Sequence, residues 1–386
     1  MRPYLICLAL AVAAWAQPAK PQLVQSVPEG TPLADPSLPF AKEAWPQMIR
    51  GAQRSIDLAE FYVTNRAGSF LEPVIRELEL AGARGVKVRT LLSTRMLGQD
   101  PASVERLRAI PGAELRNFDF GQGVRGILHA KYFIVDGEEA FLGSQNFDWR
   151  ALQHIHEMGL RFRSPELVQP LARIFGIDWE FAKTKVIPTF PTMPPGKPPG
   201  VLELVASPPH LLPPGVRPAL PALLRTLDSA KERIRVQLLT YSPVSGKSRF
   251  WPTLDNALRS AAVRGTKVQL MVSDWNTEKP AVDHLKSLSL LPNVEVKIVS
   301  IPDDPGGPIP YARVIHSKYM TVDGKLLWLG TSNWAEDYFT ESRNVELILK
   351  DSDLTAQADR VFERLWNGPF AAAIEPGRNY VPRKRD

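Results

Sequence analysis

The chain has 386 residues, more than a single hydrophobic core usually organises, so two domains or two fused halves are expected. Its 44% hydrophobic and 23% charged residues are ordinary for a soluble globular protein, and Lys plus Arg outnumber Asp plus Glu by 47 to 41, a mild attraction to polyanions. A single cysteine, Cys7, excludes an intrachain disulfide and a multi-thiolate metal site.

Residues 1–16 read as a signal peptide. Arg2 supplies the basic start, Leu5 to Ala14 the apolar stretch, and Ala14-Trp15-Ala16 an A-x-A cleavage site. The apolar run is too short to span ~30 Å of hydrocarbon. Cleavage would leave a secreted or periplasmic chain without cysteine, carrying 46 basic against 41 acidic residues. The sequence contains no Asn-x-Ser/Thr sequon, which favours a bacterial periplasm over a glycosylating lumen.

An apolar strand is expected at 56–63 (IDLAEFYV), a helix from Pro73 to Ala83, and a buried strand after the turn in ARGVKVRTLLS at 83–93. The same series returns as IRVQLLTY at 234–241, a helix from Leu254 to Val263, and VRGTKVQLMVS at 263–273. Between the two series, PTFPTMPPGKPPG at 188–200 can continue neither a helix nor a central strand and reads as a stiff spacer. The organisation is therefore an α/β duplication of α+β sandwich type, with halves at 30–187 and 201–380 joined by the linker 188–200.

Each half then carries a second match. ILHAKYFIVDGEEAFLGSQN presents His129, Lys131, Asp136, Gly143, Ser144 and Asn146. VIHSKYMTVDGKLLWLGTSN presents His316, Lys318, Asp323, Gly330, Thr331 and Asn333 at a constant offset of 187 residues. Each copy is two apolar runs broken by Asp-Gly, a hairpin-turn pair. Strand side chains alternate faces, so each histidine points the same way as the lysine two residues on. The hydroxyl and carboxamide at the end of the second run should join them, giving a patch suited to phosphate. Asp136 and Asp323 are read as turn residues of the motif, since Asp before Gly is simple turn chemistry.

His-x-Lys-x4-Asp-x6-Gly-Ser/Thr-x-Asn, present twice, resembles the signature of the phospholipase D superfamily. The resemblance extends to GILHAKYFIVDGEEAFLGSQNFDWRAL, SRFWPTLDNALRSAAVRGTKVQLMVSDW and HSKYMTVDGKLLWLGTSNWAEDYFTE, and covers residues 45 to 350. These segments are similar to the animal lysosomal branch, the phospholipase D3 and D4-like 5′ exonucleases of single-stranded nucleic acid. This sequence departs from that branch in lacking its cysteines and glycosylation sites.

The resemblance implies two phospholipase D-like halves packed around one shared active site, and a phosphodiesterase working through a phosphohistidine. His129 would be the nucleophile and His316 the general acid, with Lys131, Lys318, Asn146 and Asn333 neutralising the phosphate oxygens. Ser144 and Thr331 would add hydrogen bonds to substrate. Glu157 and Glu346 are the candidates for holding each imidazole in the required tautomer. No cofactor and no metal are implied. His154 and His156 are expected at the surface, and the GQGVRG loop before His129 is expected to shape the rim. Single-stranded nucleic acid is the leading substrate, with Phe147, Trp149, Phe250, Trp251, Trp334 and Tyr338 available for base stacking. A phospholipid head group is the alternative. No obligate protein partner is implied, and a monomer would suffice. The terminal Arg383-Lys384-Arg385 is expected to be a solvated tail.

Overall fold

A computed structural model of the chain describes residues 20–121, 126–187, 200–246 and 249–383. The expected leader, linker residues 188–199, rim-loop residues 122–125 and Lys384 to Asp386 lie outside them.

The first half supplies the strands β1 (Gln22–Ser26), β2 (Ser55–Glu60), β3 (Lys87–Ser93), β4 (Glu114–Phe118), β5 (Tyr132–Val135), β6 (Glu139–Gly143) and β7 (Glu157–Phe162), in spatial order β1-β7-β6-β5-β2-β3-β4. The second half supplies β8 (Leu202–Ser207), β9 (Arg233–Leu238), β10 (Lys267–Ser273), β11 (Val294–Val299), β12 (Tyr319–Val322), β13 (Leu326–Gly330) and β14 (Asn344–Leu349). Their order, β8-β14-β13-β12-β9-β10-β11, repeats the first, with short strands at 217–218 and 371–373 added on the two edges. In each sheet the strands joined by helical crossovers pair in parallel and the motif hairpins pair antiparallel. β1 lies ahead of the expected boundary at residue 30, so the first half begins near residue 22.

The two motif hairpins turn as the sequence implied. Asp136 and Gly137 have φ of 55° and 71°, and Asp323 and Gly324 have 52° and 65°. The Asp136 carboxylate accepts from the backbone N–H groups of Gln53, Arg54 and Ser55 at 2.9, 2.7 and 2.9 Å. Asp323 accepts from Lys231, Glu232 and Arg233 at 3.0, 2.9 and 2.8 Å. Partial burial would raise both carboxyls, but three backbone donors hold each below the usual range. Both aspartates thus pin the hairpin to the start of the neighbouring strand, at the far end from the histidines.

Each sheet buries its outer face under helices of its own half: Ala41–Arg50, Leu71–Ala83 and Pro101–Arg108 in the first, Ala219–Ser229, Thr253–Val263 and Ala281–Ser289 in the second. The inner faces share one apolar core, into which the helices Pro165–Thr184 and Ser352–Trp366 insert. Within it, Asp178 of the first half and Arg343 of the second form a fully buried pair, with guanidinium–carboxylate contacts of 2.7 to 3.0 Å. The remaining Arg343 donors reach the carbonyls of Ser207 and Leu211. Arg383 is docked rather than solvated: it bonds the Ile301 carbonyl and pairs with Asp274 and Asp303.

Removing one member of a buried pair strands the other charge away from water. Asp178→Ala is expected to cost about 3–5 kcal/mol in unfolding free energy, measured by urea denaturation, because Arg343 keeps its burial and loses its counter-charge.

Candidate active site

The two halves meet through their own backbones beside the motif histidines. His129 N–H donates to the Arg343 carbonyl at 2.9 Å, and Arg343 N–H returns a bond to Ile127. On the other side His316 N–H donates to the His156 carbonyl at 2.8 Å, and His156 N–H to Val314 at 2.9 Å. These two short parallel bridges are related by the same 187-residue offset as the motifs. Each places a histidine of one half beside the last strand of the other.

That placement decides what holds each imidazole. His316 Nδ1 lies 2.9 Å from Glu157 Oε2, and His129 Nδ1 lies 3.0 Å from Asn344 Oδ1. The Asn344 amide is oriented by its own bonds, with Nδ2 donating to the Tyr338 carbonyl (2.8 Å) and Oδ1 accepting from the Thr331 hydroxyl (2.9 Å). Both partners of the imidazoles are therefore acceptors, so each Nδ1 carries the proton and each Nε2 keeps its lone pair. The Ser144 hydroxyl donates to Glu157 Oε2 at 2.5 Å, as Thr331 does to Asn344.

The surroundings are dry. His129 is 4% and His316 8% exposed, and Lys131 and Lys318 are each 1% exposed. Burial, reinforced by the two ammonium groups, holds both imidazoles below their ordinary range, His129 and His316 alike. Burial also lowers both lysines, Lys318 to about 7, while it raises Glu157 to about 7. Lys131 Nζ donates to the His129 carbonyl at 2.5 Å and sits 5.1 Å from the centre of the Phe61 ring. The His129 ring is flanked by Phe61 at 5.1 Å and Tyr338 at 4.9 Å. Lys318 Nζ and the side-chain oxygens of Asn146 and Asn333 are buried without a protein partner. Two buried cations with unused hydrogen-bonding capacity beside two neutral imidazoles can receive an anion such as phosphate. Among the described residues, no group of three or more His, Cys, Asp or Glu is arranged to hold a metal ion.

Several expectations are corrected. Glu346 does not touch His129: its Oε2 accepts from Trp328 Nε1 at 2.7 Å, because it lies two residues beyond the position that matches Glu157. Asn344 occupies that position, and the constant offset of 187 would have found it. The Ser144 and Thr331 hydroxyls donate to Glu157 and Asn344, the partners of the imidazoles, on the strand that follows each motif. His154 and His156 are buried, 9% and 1% exposed, because the contact between the halves covers them. His156 Nδ1 lies 3.2 Å from Gln237 Nε2, and His154 Nδ1 lies 3.6 Å from Asp304. Phe147, Trp251 and Trp334 are core residues, whereas Tyr338 lies at the histidine, Trp149 lies under Arg66, and Phe250 is exposed against His284.

Asn344→Ala should cost roughly 10²–10⁴ in kcat on a phosphodiester by freeing the His129 tautomer. Glu346→Gln should leave kcat unchanged. Steady-state kinetics on the two folded variants checks the pair of outcomes.

A family described as "Cardiolipin synthase, PLD-like domain" matches residues 46–179 and 223–366, once per half. The chain is 34% identical to "5'-3' exonuclease PLD3" of Bos taurus, over 94% of this chain and 82% of that protein. It is 30% identical to "Phospholipase D Z" of Dictyostelium discoideum, over 86% of each. Among solved structures, phosphatidylserine synthase of Haemophilus influenzae Rd KW20 has the same fold, with a TM-score of 0.63, 12% identity, and coverage of 86% and 85% of the two chains. Matched over most of its length and carrying a complete histidine–lysine motif in each half, the chain belongs to the phospholipase D superfamily, in the branch of the PLD3- and PLD4-like proteins, and is a phosphodiesterase.

Proposed function

We propose that this phosphodiesterase is a nuclease acting on single-stranded nucleic acid through a phosphohistidine intermediate, with His129 as nucleophile and His316 as general acid. The observation that carries the assignment of roles is the unequal pair of imidazole partners. Glu157 is an ionisable partner that can share a proton with His316, whereas the amide of Asn344 can supply no charge to His129. His129 Nε2 attacks phosphorus as the P–O bond to the leaving oxygen breaks, and that oxygen takes the proton from His316 Nε2. Water then attacks the phosphohistidine, giving a proton back to His316 as the P–N bond breaks. Lys131 and Lys318 lie where they can offset the charge on the non-bridging oxygens.

The nucleic-acid reading draws on the exonuclease relative and on the basic and aromatic side chains Arg66 and Trp149 beside the motif. The similarity to phospholipase D Z supports the phospholipid alternative. The leader-like residues 1–16 support export of the mature chain.

The decisive experiment gives the purified chain a 5′-labelled single-stranded oligonucleotide and phosphatidylcholine vesicles in parallel, with EDTA present and His129→Ala as control. Stepwise nucleotide release lost in the variant is expected; choline release with an intact oligonucleotide would replace the nuclease reading with a lipase. The roles are read from the leaving group. His316→Ala should lose roughly 10²–10⁴ of its rate on an oligonucleotide, far less on bis(p-nitrophenyl) phosphate, whose leaving group needs no proton. His129→Ala should lose both, and equal losses in the two variants would overturn the assignment.

Catalysis needs one protonated and one neutral imidazole, and both are held below the usual 6.5. The kcat/KM profile, which reports the free enzyme, should therefore peak on the acid side of pH 6.5 and fall as pH rises. A maximum above pH 7.5 would contradict the electrostatics described for the site.

A further inference from the structure

The two motif lysines do not sit in equivalent surroundings. In the first sheet β2 and β5 pair antiparallel from Ile56↔Val135 to Ala59↔Tyr132, so the next pair in register is Glu60 and Lys131. In the second sheet β9 and β12 pair from Ile234↔Val322 to Gln237↔Tyr319, and the next pair is Leu238 and Lys318. Directly opposed residues on neighbouring strands have Cβ atoms about 4.5–5.5 Å apart. One lysine thus faces a carboxylate where its counterpart faces a leucine.

Glu60 is 2% exposed, and its Oε2 is buried with no hydrogen-bond partner. A carboxylate oxygen kept out of water without such a bond is costly, and a leucine in the same register shows that this fold needs no charge there. The charged groups facing Lys131 are Glu60 from β2, Glu157 from β7, Lys318 from the opposite half, and, when protonated, His129 on its own chain segment. Lys318 has Glu157 as its nearby carboxylate.

We propose that Glu60 is a positioning residue, which keeps the Lys131 ammonium charged and aimed at the phosphate site from across the sheet. The proposal rests on the phosphodiesterase site described above and assigns a role that only the first half possesses. Burial pushes the Glu60 carboxyl well above the usual carboxylate range and the Lys131 ammonium below its own, while each acts against the other's shift, so the two hold their charges as a pair. Lys131 thus keeps its proton to a higher pH than it would alone.

The test compares wild type with Glu60→Leu, which copies the second half, Glu60→Gln and Glu60→Asp. Two measurements are made across pH 4.5–9: binding of inorganic phosphate by calorimetry, and kcat/KM on bis(p-nitrophenyl) phosphate. Glu60→Leu and Glu60→Gln should shift the alkaline limb of both profiles down by about one pH unit or more. They should weaken phosphate binding about tenfold at pH 7.5 and much less at pH 5. Glu60→Asp should recover most of the loss. Glu60→Leu should melt no lower than wild type, which separates the effect from unfolding. Unmoved alkaline limbs and unchanged phosphate affinity in folded Glu60→Leu and Glu60→Gln would overturn the proposal. If wild type binds phosphate but cleaves no diester, the functional reading fails while the phosphate titration still decides the role of Glu60.

Discussion

Every part of the site depends on a constraint that neither half can meet alone: each histidine is fixed by the opposite half. The backbone N–H of His129 is held by Arg343 and its Nδ1 by Asn344, while His316 is held by His156 and Glu157. An imidazole with no partner on Nδ1 would divide between tautomers and rotamers, and only one combination presents a lone pair at Nε2. Docking of the halves therefore assembles the reactive geometry as well as burying apolar surface. The Asp178–Arg343 pair lies in the shared core one residue from Asn344, so the same contact that joins the halves also sets the partner of His129.

Gene-level duplication produces two similar halves, but the two-step displacement proposed above needs unlike roles. A few substitutions on a common frame make the two halves differ at the site. Glu157 in one half corresponds to Asn344 in the other, and Glu60 to Leu238. Both carboxylates lie in the first half. The backbone bridges, the hairpin turns and the pinning of Asp136 and Asp323 remain symmetric. Both differences fall at groups that bias where protons sit, which is where a small difference in potential has the largest chemical effect.

Burial is the source of the site's electrostatics and also its cost. Two lysines and two carboxylates with almost no access to water perturb one another strongly, and the imidazoles are held neutral by the same low-dielectric surroundings. Proteins tolerate such clusters where charge must be stabilised in a reaction, and the rest of the fold meets the expense through its three large apolar cores.

The duplication, the strand–helix–strand series, the hairpins and the His-x-Lys pairs were all legible in the sequence, because they follow from local rules: alternation along a strand and Asp-Gly at a turn. Local rules also explain the correct reading of Asp136 and Asp323 as turn residues. Glu346 was misread because a carboxylate was expected at both equivalent places, whereas an amide oxygen serves equally well as an acceptor for Nδ1–H. Strand alternation gave Ser144 and Thr331 their face, but not Glu157 and Asn344, the partners their hydroxyls find on the next strand. The burial of His154 and His156, the crossing of the histidine partners between halves, and the pairing of Glu60 with Lys131 were decided by tertiary structure alone. They depend on which surfaces meet and in what register, and these are settled by packing between segments more than a hundred residues apart or, for Glu60, by a strand pairing that spans 71 residues.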